Sequence, residues 1–176
     1  IFGDKLPSID RTPKLYVGGN QKRPDGGYSF PLNAINNTFI CDIAEANRKD
    51  VRDSVEIASK SFSKQLTNFN RSQILFYLAE NLQQREKTFV ELLRALKGMT
   101  LANATKEFAQ SCERLFYYAS MADKFEGSVH NPPMRGLTLA MKEPLGVIAS
   151  ILNDDAPLLS LITLMASIFS TGNSNI

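Results

Sequence analysis

The stretch Leu145-Gly146-Val147-Ile148-Ala149-Ser150-Ile151-Leu152 is almost continuously apolar, with little alternation. A strand of that kind belongs where both faces are covered, in the interior of a parallel sheet. Asn153-Asp154-Asp155 ends it, Pro157 stands where a helix begins, apolar residues run on to about Phe169, and Gly172 stops them. Asn175-Ile176 then reads as the first step of another strand. Strand, helix and strand in that order are half of a βαβ arrangement, so an α/β fold is expected. A sheet edge and one helix face stay open unless further chain or a partner covers them.

Upstream the patterns are helical. Phe108, Cys112, Leu115, Ala119, Ala122 and Phe125 keep to one side of a helix starting near Asn103 or Ala104, and Gly127 with Pro132-Pro133 closes it. Phe89, Leu92, Leu93 and Leu96 form an earlier stripe, and Gly98 follows it where a helix takes a left-handed residue. Asn70 with Gln73 reads as a capping box ahead of Ile74, Leu75, Leu78 and Leu82. Asn47 with Asp50 caps a helix whose stripe is Val51, Val55, Ala58 and Phe62. Residues 14–17, 28–30 and 38–44 are strand-like, with turns at Gly18-Gly19-Asn20 and Pro24-Asp25-Gly26-Gly27. The expectation is a small antiparallel strand layer plus helices leading into a parallel sheet. Residues 136–141 form a further strand, set apart by Pro144.

Composition narrows the function. The 176 residues are 43% hydrophobic with a net charge of +2, which excludes a disordered tail or a collagenous repeat. No run concentrates the 20 basic residues, so no nucleic-acid partner is expected. Two cysteines, Cys41 and Cys112, cannot staple a chain of this length; reduced thiols and a cytoplasmic location are the expectation. Asn36, Asn70 and Asn103 open N-x-Ser/Thr matches that mean little without a signal peptide. No charge falls between Ala156 and Ile176, yet Ser160, Thr163, Ser167 and Ser170 interrupt that stretch. Its apolar helical part, about 14 residues, is short of the roughly 20 a bilayer needs. It reads as a buried helix, not a transmembrane segment. The opening Ile-Phe-Gly-Asp, without an initiator methionine, reads as the start of a piece of a longer chain.

Catalytic equipment is sparse. There is no His-Glu-x-x-His, Cys-x-x-Cys, phosphate-binding Gly-rich loop or Gly-x-Ser-x-Gly elbow. His130 reads as a solvated residue of a Gly/Pro-rich turn, the paired glycines as turns, and both cysteines as inert packing. Phe116-Tyr117-Tyr118 reads as core and interface border rather than a stacking platform. Asn153-Asp154-Asp155 remains. It stands after a buried strand and before a helix, where open α/β sheets place ligands. Two adjacent carboxylates there can hold a metal, serve as acid or base, or cap the helix, and capping asks least of them.

The order of these pieces resembles the N-terminal part of the aldehyde dehydrogenase superfamily. Leu15-Tyr16-Val17-Gly18-Gly19 is similar to the family's opening strand and turn, Asn33-Ala34-Ile35-Asn36 to its “vNPat” segment, and Ile40-Cys41-Asp42-Ile43-Ala44-Glu45-Ala46 to the strand after it. The helix from Arg71 to Arg85 also matches. Phe116-Tyr117-Tyr118-Ala119-Ser120-Met121-Ala122-Asp123-Lys124-Phe125-Glu126-Gly127 carries the strongest local likeness, followed by Glu143-Pro144-Leu145-Gly146-Val147-Ile148, Pro157-Leu158-Leu159 and Thr171-Gly172-Asn173. The resemblance implies a lead-in over 1–12, the first strands and helices of the cofactor-binding domain over 13–134, a bridging or oligomerisation strand over 135–143, and the start of a Rossmann-like sheet over 144–176. It also implies NAD or NADP for an active parent, none for this chain alone, and a homo-oligomer whose further partner is the remainder of its own polypeptide.

The same resemblance assigns the site. By family position Ile151, Leu152, Asn153 and Asp154 touch the cofactor. Where the family writes “P-W-N-(F/Y)-P”, this chain has Asn153-Asp154-Asp155-Ala156-Pro157, which sets Asp155 at the asparagine whose amide donates to the reacting oxyanion. An ionised aspartate has no N–H to donate and meets growing negative charge with its own. The family's nucleophilic cysteine, general-base glutamate and cofactor loop lie further along, so no catalytic residue is assigned here. The expectation is an aldehyde-dehydrogenase-like module that is non-catalytic or impaired, such as the degenerate second module of a two-module member. The alternative is the N-terminal region of an active NAD(P)-dependent enzyme that oxidises an aldehyde through a cysteine thiohemiacetal.

Overall fold

Short strands flank a helical layer because the apolar positions recur at helical spacing only between residues 48 and 121 and again after Pro157. The structure is a computed structural model and describes residues 12–62 and 66–176. The expected lead-in therefore lies almost wholly outside the described residues.

Strands β1 (Leu15–Val17) and β2 (Asn20–Lys22) pair as an antiparallel hairpin around Gly18-Gly19. Strands β3 (Ser29–Asn33) and β4 (Phe39–Ala44) pair likewise, with a register irregularity between Leu32 and Asn33. Helix α1 (Arg48–Phe62) starts on the expected reciprocal cap. Asn47 Oδ1 accepts from the Lys49 and Asp50 N–H groups, and Asp50 Oδ2 accepts from the Asn47 N–H. Its stripe is not a core stripe, however: Val51 and Val55 are exposed. The side chain of Phe62 is outside the described residues.

Helix α2 (Asn68–Gln83) corrects the expected cap. Thr67, not Asn70, is the N-cap, and its Oγ1 accepts from the Asn70 N–H at 3.2 Å. Thr67 has extended backbone while Asn70 is already helical, so two residues of helix, Asn68 and Phe69, precede the expected cap. A Thr67→Ala substitution is expected to destabilise the protein by about 1 kcal/mol, read as a lower urea midpoint at unchanged slope. Helix α3 (Glu86–Lys97) ends at Gly98, left-handed at φ 63°, as expected. A Cβ there would also come within 2.8 Å of Ile35 Cδ1.

Helix α4 (Leu101–Met121) is the axis of the helical layer. It packs on α2, α3 and on α5 (Pro157–Ser170). Its stripe of Phe108, Cys112, Leu115, Ala119 and Ala122 is buried as the spacing required, against Leu75, Ala79 and Leu82 of α2, Val90 and Leu93 of α3, and Leu158, Ile162 and Ala166 of α5, whereas Phe125, expected on the same side, lies beyond the helix end and is exposed. Small residues on α2 and α4 permit a direct tie, since Ser72 Oγ donates to the Ala119 carbonyl at 2.7 Å.

Strands β5 (Ser128–His130) and β6 (Thr138–Ala140) form a third antiparallel hairpin. His130 therefore lies in a strand rather than a turn, although exposed as expected, with its Nε2 3.0 Å from Ser128 Oγ.

Strands β7 (Val147–Ile148) and β8 (Ser174–Asn175) pair in parallel, joined by α5. This is the strand, helix and strand read from the sequence. The ladder extends a little at each end: the Ser174 N–H donates to the Gly146 carbonyl and the Ser150 N–H to the Ile176 carbonyl. It is nevertheless shorter than the expected 145–152, and not covered on both faces; Leu145 is 90% and Ile151 97% exposed. The described sheet has two strands, and α1 lies against both of them, which leaves the flanking side chains of 145–152 without a layer. Asn173 fixes the sheet's start: its Oδ1 accepts from the Gly146 N–H at 2.8 Å and its Nδ2 donates to Thr171 Oγ1.

Arg71 ties α2 to the far end of α5. Its Nε donates to the Ser170 carbonyl, Nη1 to the Leu66 carbonyl and Nη2 to Asn68 Oδ1. Burial holds the guanidinium below the usual arginine range, and it stands at the negative end of the α5 dipole.

Candidate functional site

The loop between β7 and α5 carries all the residues singled out from the sequence, and the structure brings them together at the carboxyl end of β7. Ile151, Leu152, Asn153, Asp154 and Asp155 are consecutive and exposed. They leave the ladder after Ser150, so the backbone at 151–153 does not pair with another strand among the described residues.

The three polar side chains have separate partners. Asp154 Oδ2 lies 2.6 Å from the ammonium of Lys97, in the last turn of α3; the lysine is mostly covered, whereas the aspartate side chain is 90% exposed. Asn153 Nδ2 donates to Asp155 Oδ2 at 3.3 Å, and Asn153 Oδ1 accepts from Ser160 Oγ at 3.4 Å. Asp155 therefore offers an acceptor that is already held by an amide from its own loop.

None of these residues caps the helix that follows. The N-cap is Ala156, which has no side-chain acceptor. The free amides of α5 are taken from another helix: Glu107 Oε1, on α4, accepts from the Leu158 N–H at 3.0 Å and the Leu159 N–H at 3.2 Å. The capping role that asked least of Asn153-Asp154-Asp155 is filled elsewhere. Sequence reasoning missed Glu107 because its partners lie some fifty positions along the chain; the one available signal was an acidic residue on the apolar flank of α4, beside Phe108.

The aspartates do not assemble a metal centre, since the described residues contain no group of three or more His, Cys, Asp or Glu placed to hold an ion. Both thiols are poor nucleophiles where they stand. Burial pushes Cys41 and Cys112 up, with Asp42 and Glu86 respectively adding to the effect. No helix among the described residues is long and apolar enough to cross a membrane.

A groove of about 1090 Å³ opens beside the site, between α1, α2, α5 and the β7–β8 pair, lined by apolar residues such as Ile57, Ile74, Leu78 and Met165. Ile74 and Leu78, read as core from their spacing, face this groove and are partly exposed.

A parallel β-α-β unit whose loop meets a four-helix layer gives the chain an α/β fold of Rossmann-like character. The family model for the aldehyde dehydrogenase family matches residues 29–176, and the chain belongs to that family. Cytosolic 10-formyltetrahydrofolate dehydrogenase of Pongo abelii is 28% identical over 172 residues, 92% of this chain and 19% of that protein. An aldehyde dehydrogenase of Alternaria alternata is 31% identical over 173 residues, 94% of this chain and 34% of that protein. Among solved structures, betaine aldehyde dehydrogenase from Staphylococcus aureus in complex with NAD+ superposes with a TM-score of 0.90 at 21% identity, over 93% of this chain and 34% of that one. The chain thus spans about a fifth to a third of the length of the relatives it matches.

Proposed function

We propose that the chain is the N-terminal part of an aldehyde-dehydrogenase-like module that is non-catalytic or catalytically impaired and has a structural role in a larger polypeptide. The observation that carries this reading is Asp155. It follows the β7 strand and precedes Pro157, where the family's motif sets its amide donor, and its carboxylate accepts from Asn153 instead of donating. Asp154 adds a second negative charge, and the lysine beside it is already paired.

A nicotinamide cofactor fits this loop at the open backbone of 151–153 and poorly at its two carboxylates, which give an anionic ligand no donor. Calorimetric titration of NAD and NADP into the full polypeptide is therefore expected to give no saturable binding at this module, and assay with an aldehyde no turnover. Tight binding together with turnover would overturn the reading.

The second reading is the N-terminal region of an active NAD(P)-dependent aldehyde dehydrogenase. It is favoured by the close superposition on a relative described in complex with NAD+. In that case Ile151, Leu152, Asn153 and Asp154 contact the cofactor and the remaining catalytic groups come from chain beyond residue 176.

On either reading a cytoplasmic homo-oligomer is proposed, with residues 135–143 in the bridging layer, 13–134 leading the cofactor domain and 144–176 opening its sheet. The apolar side chains Val129, Leu137 and Leu139 left exposed on the β5–β6 hairpin support contact with a second copy.

A further inference from the structure

We propose that Glu107 is a positioning residue for the loop 153–156: by holding the first turn of α5 from α4, it decides where Asp155 stands. This rests on the reading of that loop as the site.

The route is a chain of contacts. Glu107 is 6% exposed, and its carboxylate has no cationic partner among the described salt bridges. Its ionic complement is the amide end of α5, through the Leu158 and Leu159 N–H groups. A buried carboxylate on two backbone amides is a strong, directional clamp, since charge-assisted hydrogen bonds are about twice as strong as neutral ones. One residue further along the same turn, Ser160 Oγ donates to Asn153 Oδ1, and the Asn153 amide in turn donates to Asp155 Oδ2. A shift of the first turn of α5 therefore passes through Ser160 and Asn153 to the Asp155 carboxylate. The Lys97–Asp154 pair holds the next residue of the loop from α3, independently of this route.

Glu107 is buried next to Phe108 on α4, and its own carbonyl accepts from Ser111 Oγ at 2.8 Å. The clamp also has a chemical consequence. The positive end of the α5 dipole is filled from inside the protein, so it is not free to attract an anion approaching the loop.

The test is NMR on the protein carrying Glu107→Gln, which keeps the shape and one carbonyl acceptor but loses the charge, and Glu107→Ala, which removes both. Amide exchange at Leu158 and Leu159 is expected to rise roughly tenfold or more in Glu107→Ala and less in Glu107→Gln, while Leu75 and Leu115 keep their protection. The backbone signals of 153–156 and the side-chain amide of Asn153 are expected to move with them, in the same order. Faster exchange at 158 and 159 with unmoved signals at 153–156 would reduce Glu107 to a helix cap and overturn the proposal, as would unchanged exchange in both variants. If Glu107→Ala fails to fold, Glu107→Gln alone decides by the same two readouts. Because the readout is the loop and not turnover, the outcome is independent of whether the parent oxidises aldehydes.

Discussion

An Asp155→Asn substitution is expected to raise aldehyde-dependent nicotinamide reduction by about a hundred- to a thousandfold where the polypeptide that carries this chain is the NAD(P)-binding enzyme of the second reading, and to leave it at zero where the module binds no cofactor. The two side chains have the same shape, so the loop has no steric reason to rearrange. What changes is chemistry: the carboxylate only accepts, whereas the amide keeps one acceptor for the Asn153 Nδ2 group and gains two N–H donors. A single donor aimed at an oxyanion is worth about 2.7–4 kcal/mol in the transition state, and the variant also removes a charge of the wrong sign. Asp155→Ala separates the two effects, because it deletes the charge without adding a donor and should recover only the smaller part. Steady-state rates with saturating aldehyde and NAD are the measurement. A rate in Asp155→Asn no higher than in the unaltered protein would place the impairment outside this residue.

Leu115→Ala is expected to lower stability by about 2–5 kcal/mol. Leu115 is 0% exposed on α4, the helix against which α2, α3 and α5 all pack. It belongs to a buried cluster drawn from α2, α3, α4 and α5, so a cavity opened there is bounded by elements that are themselves packed on one another. Urea unfolding followed by circular dichroism should show the lower midpoint, and Leu115→Met, which nearly conserves volume, should lose less than about 1.5 kcal/mol. Equal losses in the two variants would mean that the site is not tightly packed.

The helical layer was legible because its signals are local. The Phe108–Ala122 stripe and Gly98 at the end of α3 depend on neighbours within a turn or two, and they appear where the spacing puts them. Parallel pairing of the segments around 147 and 175 could also be read, since a helix of the right length stands between them. What could not be read was which side of an element other elements would cover. Val51 and Val55 have helical spacing yet face outward, and 145–152 looks like a central strand yet has bare ends. Long-range polar contacts were equally hidden. The position of the Asp155 loop could be marked from the motif order, but its three holders, Glu107, Lys97 and Ser160, come from three different helices and have no local signature.

Among the described residues, helix α1 contributes none to the buried cluster that joins α2, α3, α4 and α5, and its main contacts are with the two short strands β7 and β8. Two tiers of unequal cooperativity are therefore expected, the four-helix cluster setting the global unfolding free energy and α1 opening at lower cost as a subglobal unit. Opening that unit uncovers one side of the β7–β8 pair without melting the cluster, so the loop at 153–155 keeps its helix-borne anchors through fluctuations that strip the sheet beneath it.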